Sequence, residues 1–229
     1  MPDYQVIVLA AGQGRRMNAG KNKQLIEIGG QTLIEHTLQV FENDDWCDSI
    51  YVVVHPNEQK LMGDLIGKQF SKVKKIVNGG DERQDSVREG LLSLEQKLVT
   101  FVHDGARPFV TEDELHELYE QTIKHGAAFL GVPVTDTIKQ IKDGKVQTLN
   151  RSELVAAQTP QAFTYDWLKK AHDYAYEHKI YATDDVALLE YLGHSPAFVH
   201  GKLSNFKITN PEDIQKAENM LKINRLDYK

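Results

Sequence analysis

The stretch VIVLAAGQGRRMNAGKNK, Val6 to Lys23, decides how the rest of the chain is read. Val6-Ile7-Val8-Leu9 is a short apolar run of the kind that forms a buried strand. It empties into Ala10-Ala11-Gly12-Gln13-Gly14, where small residues let another molecule approach the backbone closely. Arg15, Arg16, Lys21 and Lys23 follow. No Asp or Glu lies between Asp3 and Glu27, although the whole chain carries a formal net charge of -6. Cations gathered without counter-charges beside a Gly loop suit a multiply charged anion. Spacing alone also allows a tight strand-to-helix turn with a solvated basic face. Two known phosphate loops do not fit. A Walker loop ends in Gly-Lys-Ser/Thr, which is absent here. A dinucleotide fingerprint needs a third Gly three residues after Gly14, where Met17 stands.

Outward from this stretch, 229 residues make one large domain or two small ones, with enough length for a sizeable core. The net acidity argues against a nucleic-acid partner, since such domains are usually basic. Cys47 is the single cysteine, so no internal disulfide forms, which fits a reducing compartment. No apolar run approaches the roughly 18 residues needed to cross a bilayer. The N-terminus enters a strand without the basic region and apolar core of a leader. The expectation is a cytoplasmic protein that binds no membrane.

Along the chain, Leu25 to Ile28 reads as a brief extended piece ending at Gly29-Gly30. Thr32 and Glu35 have capping-box spacing before a helical face of Leu33, Ile34, Thr37, Leu38 and Phe41. Ser49 to Val54 is a second buried strand, and Asn57 to Gly67 is compatible with a helix. A strand near Lys74 to Val77 leads into Asn78-Gly79-Gly80-Asp81 and then a helix carrying Val87, Leu91 and Leu94. A glycine pair before a helix offers free N–H groups to a ligand, and is also an ordinary turn with an N-cap. Leu98 to His103 is the next strand. After it comes Asp104-Gly105-Ala106-Arg107-Pro108, at the strand end where ligands collect in open α/β sheets. Asp104 there either holds a hard cation that bridges substrate phosphates or bonds the loop backbone. Thr111 and Glu114 open another helix, and Ala127 to Val134 is a strand. Four strand–helix alternations point to a doubly wound, mostly parallel sheet.

The pattern breaks at Thr137 to Leu149, whose central Asp143-Gly144 favours a hairpin turn. A lone two-stranded hairpin is marginal in water, so this arm lies on its own sheet or on another subunit, and a second subunit is the preferred expectation because an arm projecting from a wound domain invites exchange. After Arg151 comes Ala157 to Phe163, then a helix capped by Thr164. Thr183-Asp184-Asp185 opens the next helix, and its aspartates read as caps that complement the helix dipole in preference to metal ligands. Strands are expected at Pro196 to Val199 and Asn205 to Thr209, with a last helix from Asn210-Pro211. No metal-binding Cys/His spacing and no Gly-x-Ser-x-Gly elbow occurs.

Seven ordered segments together resemble one family. They are LAAGQGRRM with Asn22-Lys23-Gln24, GGDERQDSV at Gly79 to Val87, HDGARPF at His103 to Phe109, DTIK at Asp136 to Lys139, QTPQAF at Gln158 to Phe163, TDD at Thr183 to Asp185 and NFKIT at Asn205 to Thr209. The chain is similar nearly end to end to the 2-C-methyl-D-erythritol 4-phosphate cytidylyltransferases of the non-mevalonate isoprenoid pathway. The resemblance implies a single nucleotidyltransferase domain over residues 1–229, Rossmann-like, with a β-arm at about 136–156 used in dimerisation. It implies that Ala10, Ala11, Gly12 and Gly14 wrap CTP, while Arg16 and Lys23 neutralise its phosphates. Gly79, Gly80, Asp81 and Ser86 would recognise cytosine and ribose. Asp104 would sit by Mg²⁺ and the substrate, with Arg107 nearby. Lys207 and Thr183 would hold the sugar-alcohol phosphate from the same subunit. Thr137, Arg151 and Thr159 would reach it from the partner, so a homodimer would share its sites.

The alternative is a ribitol 5-phosphate cytidylyltransferase. That relative has Leu-Ala-Gly-Gly where this chain has Leu9-Ala10-Ala11-Gly12, and Ala-Val-Arg-Pro where this chain has Gly105-Ala106-Arg107-Pro108. The chain departs from the implied pattern at Asn22, where Pro is usual, and at Phe206, where an aliphatic residue is common.

Overall fold

The computed structural model describes residues 2–12, 22–67 and 69–226. Gly14 and Arg16, both expected in the site, lie outside the described residues. In chain order the elements are β1 (Tyr4–Leu9), β2 (Glu27–Ile28), β3 (Gln31–Thr32), α1 (Leu33–Asn43), β4 (Cys47–Val54), α2 (Gln59–Ile66), β5 (Val73–Asn78), α3 (Arg83–Ser93), β6 (Val99–Asp104) and α4 (Glu112–His125). They continue with β7 (Ala127–Pro133), β8 (Lys139–Lys142), β9 (Lys145–Thr148), β10 (Val155–Phe163), α5 (Tyr165–His178), α6 (Asp185–Glu190), β11 (Ala197–His200) and α7 (Pro211–Leu226).

The main sheet runs β11-β7-β10-β6-β1-β4-β5. Its pairs are parallel except those made by β10, which runs antiparallel to both β6 and β7. Strand period explains the two covered faces. Val6 and Val8 of β1, Ile50, Val52 and Val54 of β4 and Phe101 of β6 point to one side, against Ile34, Leu38 and Phe41 of α1 and Leu115 and Leu118 of α4. Ile7, Leu9, Val53 and Val102 point to the other, against Val87 and Leu91 of α3 and Leu168 and Ala171 of α5. A smaller cluster of Ile28, Leu33, Ala106, Phe109, Ile208 and Ala217 seats α7 against the β2–β3 hairpin. The doubly wound, mostly parallel sheet expected from the strand–helix alternation is thus the fold.

Local chemistry matches at several helix starts. The N–H and hydroxyl of Thr32 both donate to Glu35 Oε2, at 2.7 and 2.5 Å. Thr111 does the same to Glu114 Oε2, at 2.9 and 2.8 Å. Cys47 is buried, and burial pushes its thiol up to about 12, so it is inert packing.

Four local expectations change. Asn205–Thr209 is not a strand. Its N–H and side-chain groups bond to the turn after β6 and to β10 outside any ladder, with Ile208 N donating to Ala106 O at 2.9 Å and Asn205 Nδ2 to Thr159 O at 2.9 Å. Lys23–Leu25 is a turn of 3₁₀ helix, so only Glu27–Ile28 of the expected extended piece is a strand. Pro56–Glu58 is likewise 3₁₀, and α2 begins only at Gln59. Thr164 stands at the N-cap of α5 but makes no side-chain cap bond.

Residues 155–163, to which the sequence pattern gave no element, form β10 in the middle of the sheet. Pro160 within the run argues against a central strand, because proline cannot donate to a ladder. The ladder accommodates it through a register shift between Ala157 and Gln161.

Candidate active site

Leu9 and Asp104 are ladder partners at the carboxyl ends of β1 and β6. The chain leaves β1 toward β4 and β5 and returns on the opposite side at β6, so these ends flank the point where the winding reverses. Ligand crevices form there in open α/β sheets. A cleft of about 220 Å³ opens at this point, lined by Ala11, Gly12, Lys23, Gly80, Asp81, Ser86, Asp104 and Lys207 among others. Ala11 and Gly12 after β1, the Gly pair before α3 and the turn after β6 therefore face one space. Two glycines are required by close approach. A Cβ at Gly79 would lie 2.7 Å from Ser86 Oγ and 2.9 Å from Ala11 Cβ, and one at Gly105 would lie 2.9 Å from Leu9 O.

Asp104 is the electrostatic centre. Lys207 Nζ is 2.8 Å from its Oδ2, Arg107 Nε is 3.7 Å from the same oxygen, and Arg83 Nε is 3.7 Å from Oδ1. Burial works to raise the carboxyl. The Lys207 ammonium, followed by Arg83, outweighs it and holds Asp104 well below the usual carboxylate range. Asp104 is therefore ionised throughout the neutral range. Arg83 is aimed by a second carboxylate, with NH1 2.7 Å from Asp185 Oδ2. Asp185 is buried and also accepts from His172 Nε2 at 3.1 Å. Although burial opposes ionisation, Arg83 and then His172 hold Asp185 below its ordinary value.

The turn after β6 is fixed through its backbone. Gly105 N donates to Leu9 O at 2.9 Å, Thr37 Oγ1 donates to Gly105 O at 2.9 Å, and Arg107 N donates to Asp104 O at 3.0 Å. Arg107 NH1 also donates to Asn205 O at 2.7 Å, which ties this turn to the segment bearing Lys207. Burial of the His103 ring pushes it down to about 4, so it is neutral near pH 7.

Lys23 is buried beside the cleft, and its Nζ donates to Ile208 O at 3.3 Å. Asn22 holds the turn on which Lys23 rides. Its Oδ1 accepts from Gln24 N at 2.9 Å, and its Nδ2 donates to Ala10 O at 3.3 Å and to Glu58 Oε2 at 2.5 Å.

Of the residues expected from sequence, Ala11, Gly12, Lys23, Gly80, Asp81, Ser86, Asp104 and Lys207 come together in the cleft lining. Ala10 and Gly79 lie just behind it, and Arg107 braces Asp104. Thr137 and Arg151 are exposed at the base of the arm, where Arg151 NH1 donates to Thr135 O at 2.7 Å. Thr183 borders a separate cavity with Asp184, Val155 and Ala157. Thr159 is not on the arm. It is buried in β10 of the main sheet, and its Oγ1 accepts from Asp104 N of the same chain at 3.0 Å.

The pair Asp184-Asp185 divides its roles. Asp184 Oδ1 caps α6 by accepting from Ala187 N at 3.0 Å, whereas Asp185 anchors Arg83 and caps nothing. Arg83 and His103 were not singled out individually from the residues. For Arg83 a signal existed, a cation in the first turn of a helix that follows a Gly pair. His103 stands in the HDGARPF segment, but nothing in that segment points to its bonds with Thr159 and Arg107.

A protein-family model described as IspD, 2-C-methyl-D-erythritol 4-phosphate cytidylyltransferase, matches residues 4–223. The chain is 51% identical over 221 residues to the protein of that name from Halalkalibacterium halodurans, covering 96% of this chain and 97% of that one. It is 46% identical over 222 residues to the one from Geobacillus thermodenitrificans, with 96% and 97% covered. Among solved structures, it resembles a 4-diphosphocytidyl-2C-methyl-D-erythritol synthase from Anaerococcus prevotii with a TM-score of 0.85 at 31% identity, covering 96% of each chain. The Thermus thermophilus 2-C-methyl-D-erythritol 4-phosphate cytidylyltransferase gives a TM-score of 0.79 at 32% identity, with 95% and 98% covered. With Lys23, Arg83 and Lys207 gathered on a cleft at the sheet's switch point and matches running over nearly its whole length, this chain belongs to the 2-C-methyl-D-erythritol 4-phosphate cytidylyltransferase family.

Proposed function

We propose that the chain transfers the cytidylyl group of CTP to 2-C-methyl-D-erythritol 4-phosphate, releasing pyrophosphate. The observation that carries this reading is the convergence of Lys23, Lys207 and ionised Asp104 on the Gly-lined cleft. The family match and the named relatives favour this acceptor over ribitol 5-phosphate.

In the reaction an oxygen of the acceptor phosphate attacks the α-phosphorus of CTP. The new P–O bond forms as the bond from the α-phosphorus to its β-bridging oxygen breaks, and pyrophosphate leaves with the electron pair. A phosphate monoester is already mostly dianionic near neutrality, its second pKa being about 6. No general base is needed, and no histidine lines the cleft among the described residues. The obstacle is anion meeting anion, which fixed cations overcome. Ala11, Gly12 and Gly14 would carry the phosphates on backbone, with Arg16 and Lys23 neutralising them. Gly79, Gly80, Asp81 and Ser86 would seat the base and ribose. Lys207, Arg107 and Thr183 would take the acceptor.

Asp104 suits a divalent cation, because it is an ionised carboxylate bordering the cleft and Mg²⁺ typically takes one or two carboxylates together with substrate phosphates. Mg²⁺ held there would supply positive charge to the triphosphate.

The reading extends to a homodimer that shares its sites through the arm. β8 and β9 are exposed on both faces, and the opposed Ile141 and Val146 are 73% and 65% exposed. A hairpin alone is marginal in water. Covering those two side chains would stabilise it by roughly 1.5–3 kcal/mol each. Thr137 and Arg151 at the arm's base would then reach a partner's acceptor. The chain would act in the cytoplasm. No described helix is long and apolar enough to cross a membrane.

Incubation with CTP, Mg²⁺ and methylerythritol phosphate, followed by mass spectrometry, tests the reaction. The expected product is 4-diphosphocytidyl-2-C-methyl-D-erythritol. Hydrolysis of CTP without a cytidylyl adduct would contradict it.

A further inference from the structure

The two ends of the turn from Asp104 to Arg107 are joined by one side chain outside the cleft. His103 Nε2 lies 3.0 Å from Arg107 O, and His103 Nδ1 lies 3.2 Å from Thr159 Oγ1. The same hydroxyl oxygen is 3.0 Å from Asp104 N. The hydrogen-bond network assigns the tautomer. Arg107 O can only accept, so Nε2 carries the hydrogen. Thr159 accepts from the Asp104 N–H, so its own hydrogen goes to Nδ1. One directional chain results, from Asp104 N–H through the Thr159 hydroxyl and the imidazole to Arg107 O. The ring is fully buried, with its plane at 71° to Phe41, so its orientation is set by packing. The middle of the turn has separate anchors, Leu9 O for Gly105 N and Thr37 Oγ1 for Gly105 O.

We propose that His103 is a positioning residue, which acts through the Thr159 hydroxyl and the Arg107 carbonyl to fix the spacing of Asp104 and Arg107 at the cleft. The kinetic part of this inference rests on the cytidylyl-transfer reading, while the hydrogen-bond chain itself does not. Thr159 thereby serves its own subunit's Asp104. Displacing a reacting group by about 1 Å can cost on the order of a hundredfold in rate. A bond chain that holds both charged side chains in register is thus a means of control that touches no substrate.

Thr159→Val keeps the shape of the side chain and deletes the hydroxyl, whereas Thr159→Ser keeps the hydroxyl. The valine variant should lose roughly tenfold to a hundredfold in kcat with KM for CTP within about twofold of wild type. The serine variant should recover to within about threefold of wild type. Combining Thr159→Val with His103→Phe should cost less than about twofold beyond the worse single change, because both break one chain. Losses that multiply independently, an active valine variant or an inactive serine variant would overturn the proposal. Nitrogen-15 NMR of wild type reads the tautomer without any variant. A protonated Nε2 and bare Nδ1 on His103 are expected, and the opposite tautomer would overturn the proposal even if His103→Phe fails to fold. A wild-type protein that transfers no cytidylyl group would count against the reaction alone, leaving the tautomer to decide the bond chain.

Discussion

Lys207 Nζ lies 2.8 Å from Asp104 Oδ2, so the cation assigned to the acceptor phosphate is already held by a carboxylate. The pair fixes an otherwise mobile ammonium at the mouth of the cleft. Asp104→Asn keeps the shape but removes the charge that aims Lys207. We expect kcat to fall on the order of a hundredfold, the scale of losing one electrostatic contact in a transition state. Lys207→Ala should also raise KM for the acceptor more than KM for CTP. Steady-state kinetics with each substrate varied in turn checks both, and equal effects on the two KM values would remove Lys207 from the acceptor site.

Asn22 stands where relatives usually have proline, yet its backbone adopts φ -59, an angle that proline itself imposes. Three side-chain hydrogen bonds do what the ring would do and hold Lys23 in place. Asn22→Ala removes the bonds without restoring the ring. A lost cap costs about 1 kcal/mol, which corresponds to roughly a fivefold fall in kcat if it is felt at Lys23. Asn22→Pro should keep most of the activity. An alanine variant as fast as wild type would show that Lys23 is oriented by other contacts.

A shared site can be tested by complementation. Arg16→Ala and Arg151→Ala proteins should each be nearly inactive. Mixed after subunit exchange, they should recover part of the activity, since a mixed dimer would hold one intact site. Exchange verified by mass spectrometry without recovery would contradict the arm's role.

Asp185 gives the fold a defined acid sensitivity. Its folded pKa lies below the unfolded value of about 3.9, so it binds fewer protons folded than unfolded in that interval. Its contribution is fully present above the unfolded value and is lost as pH falls through the folded one. Asp185→Asn should lower Tm by on the order of 5 °C at pH 6. That figure takes the low end of a broken buried pair, because the Arg83 side chain is 30% exposed. The gap between wild type and variant should close as pH drops below about 4. Calorimetry from pH 6 to pH 2.5 reads it, and a constant gap would contradict the linkage.

Periodicity and punctuation made most of this fold legible. Val6 to Leu9, Ser49 to Val54 and the capping residues Thr32 and Thr111 speak through local chemistry, and the structure places them where that chemistry predicts. What escaped depends on distant partners. β10 is hidden by Pro160, whose strand exists because β6 and β7 offer ladders on both sides. Asn205 to Thr209 has the composition of a strand, but its bonds go to the turn after β6 and to Thr159 of β10 without forming a ladder. Asp104 and the Gly loops could be singled out because they stand at strand ends, where ligands collect in open α/β sheets, whereas Lys207 is marked only by the family resemblance. Arg83 and His172 act through Asp185, and His103 acts through Thr159, across long stretches of chain, and spacing along a sequence carries no trace of such contacts.

Pyrophosphate release by the purified protein with CTP and Mg²⁺, measured with methylerythritol phosphate and with ribitol 5-phosphate in parallel, tests the central claim most directly. Much faster release is expected with methylerythritol phosphate. A preference for ribitol 5-phosphate, or release with neither, would contradict it.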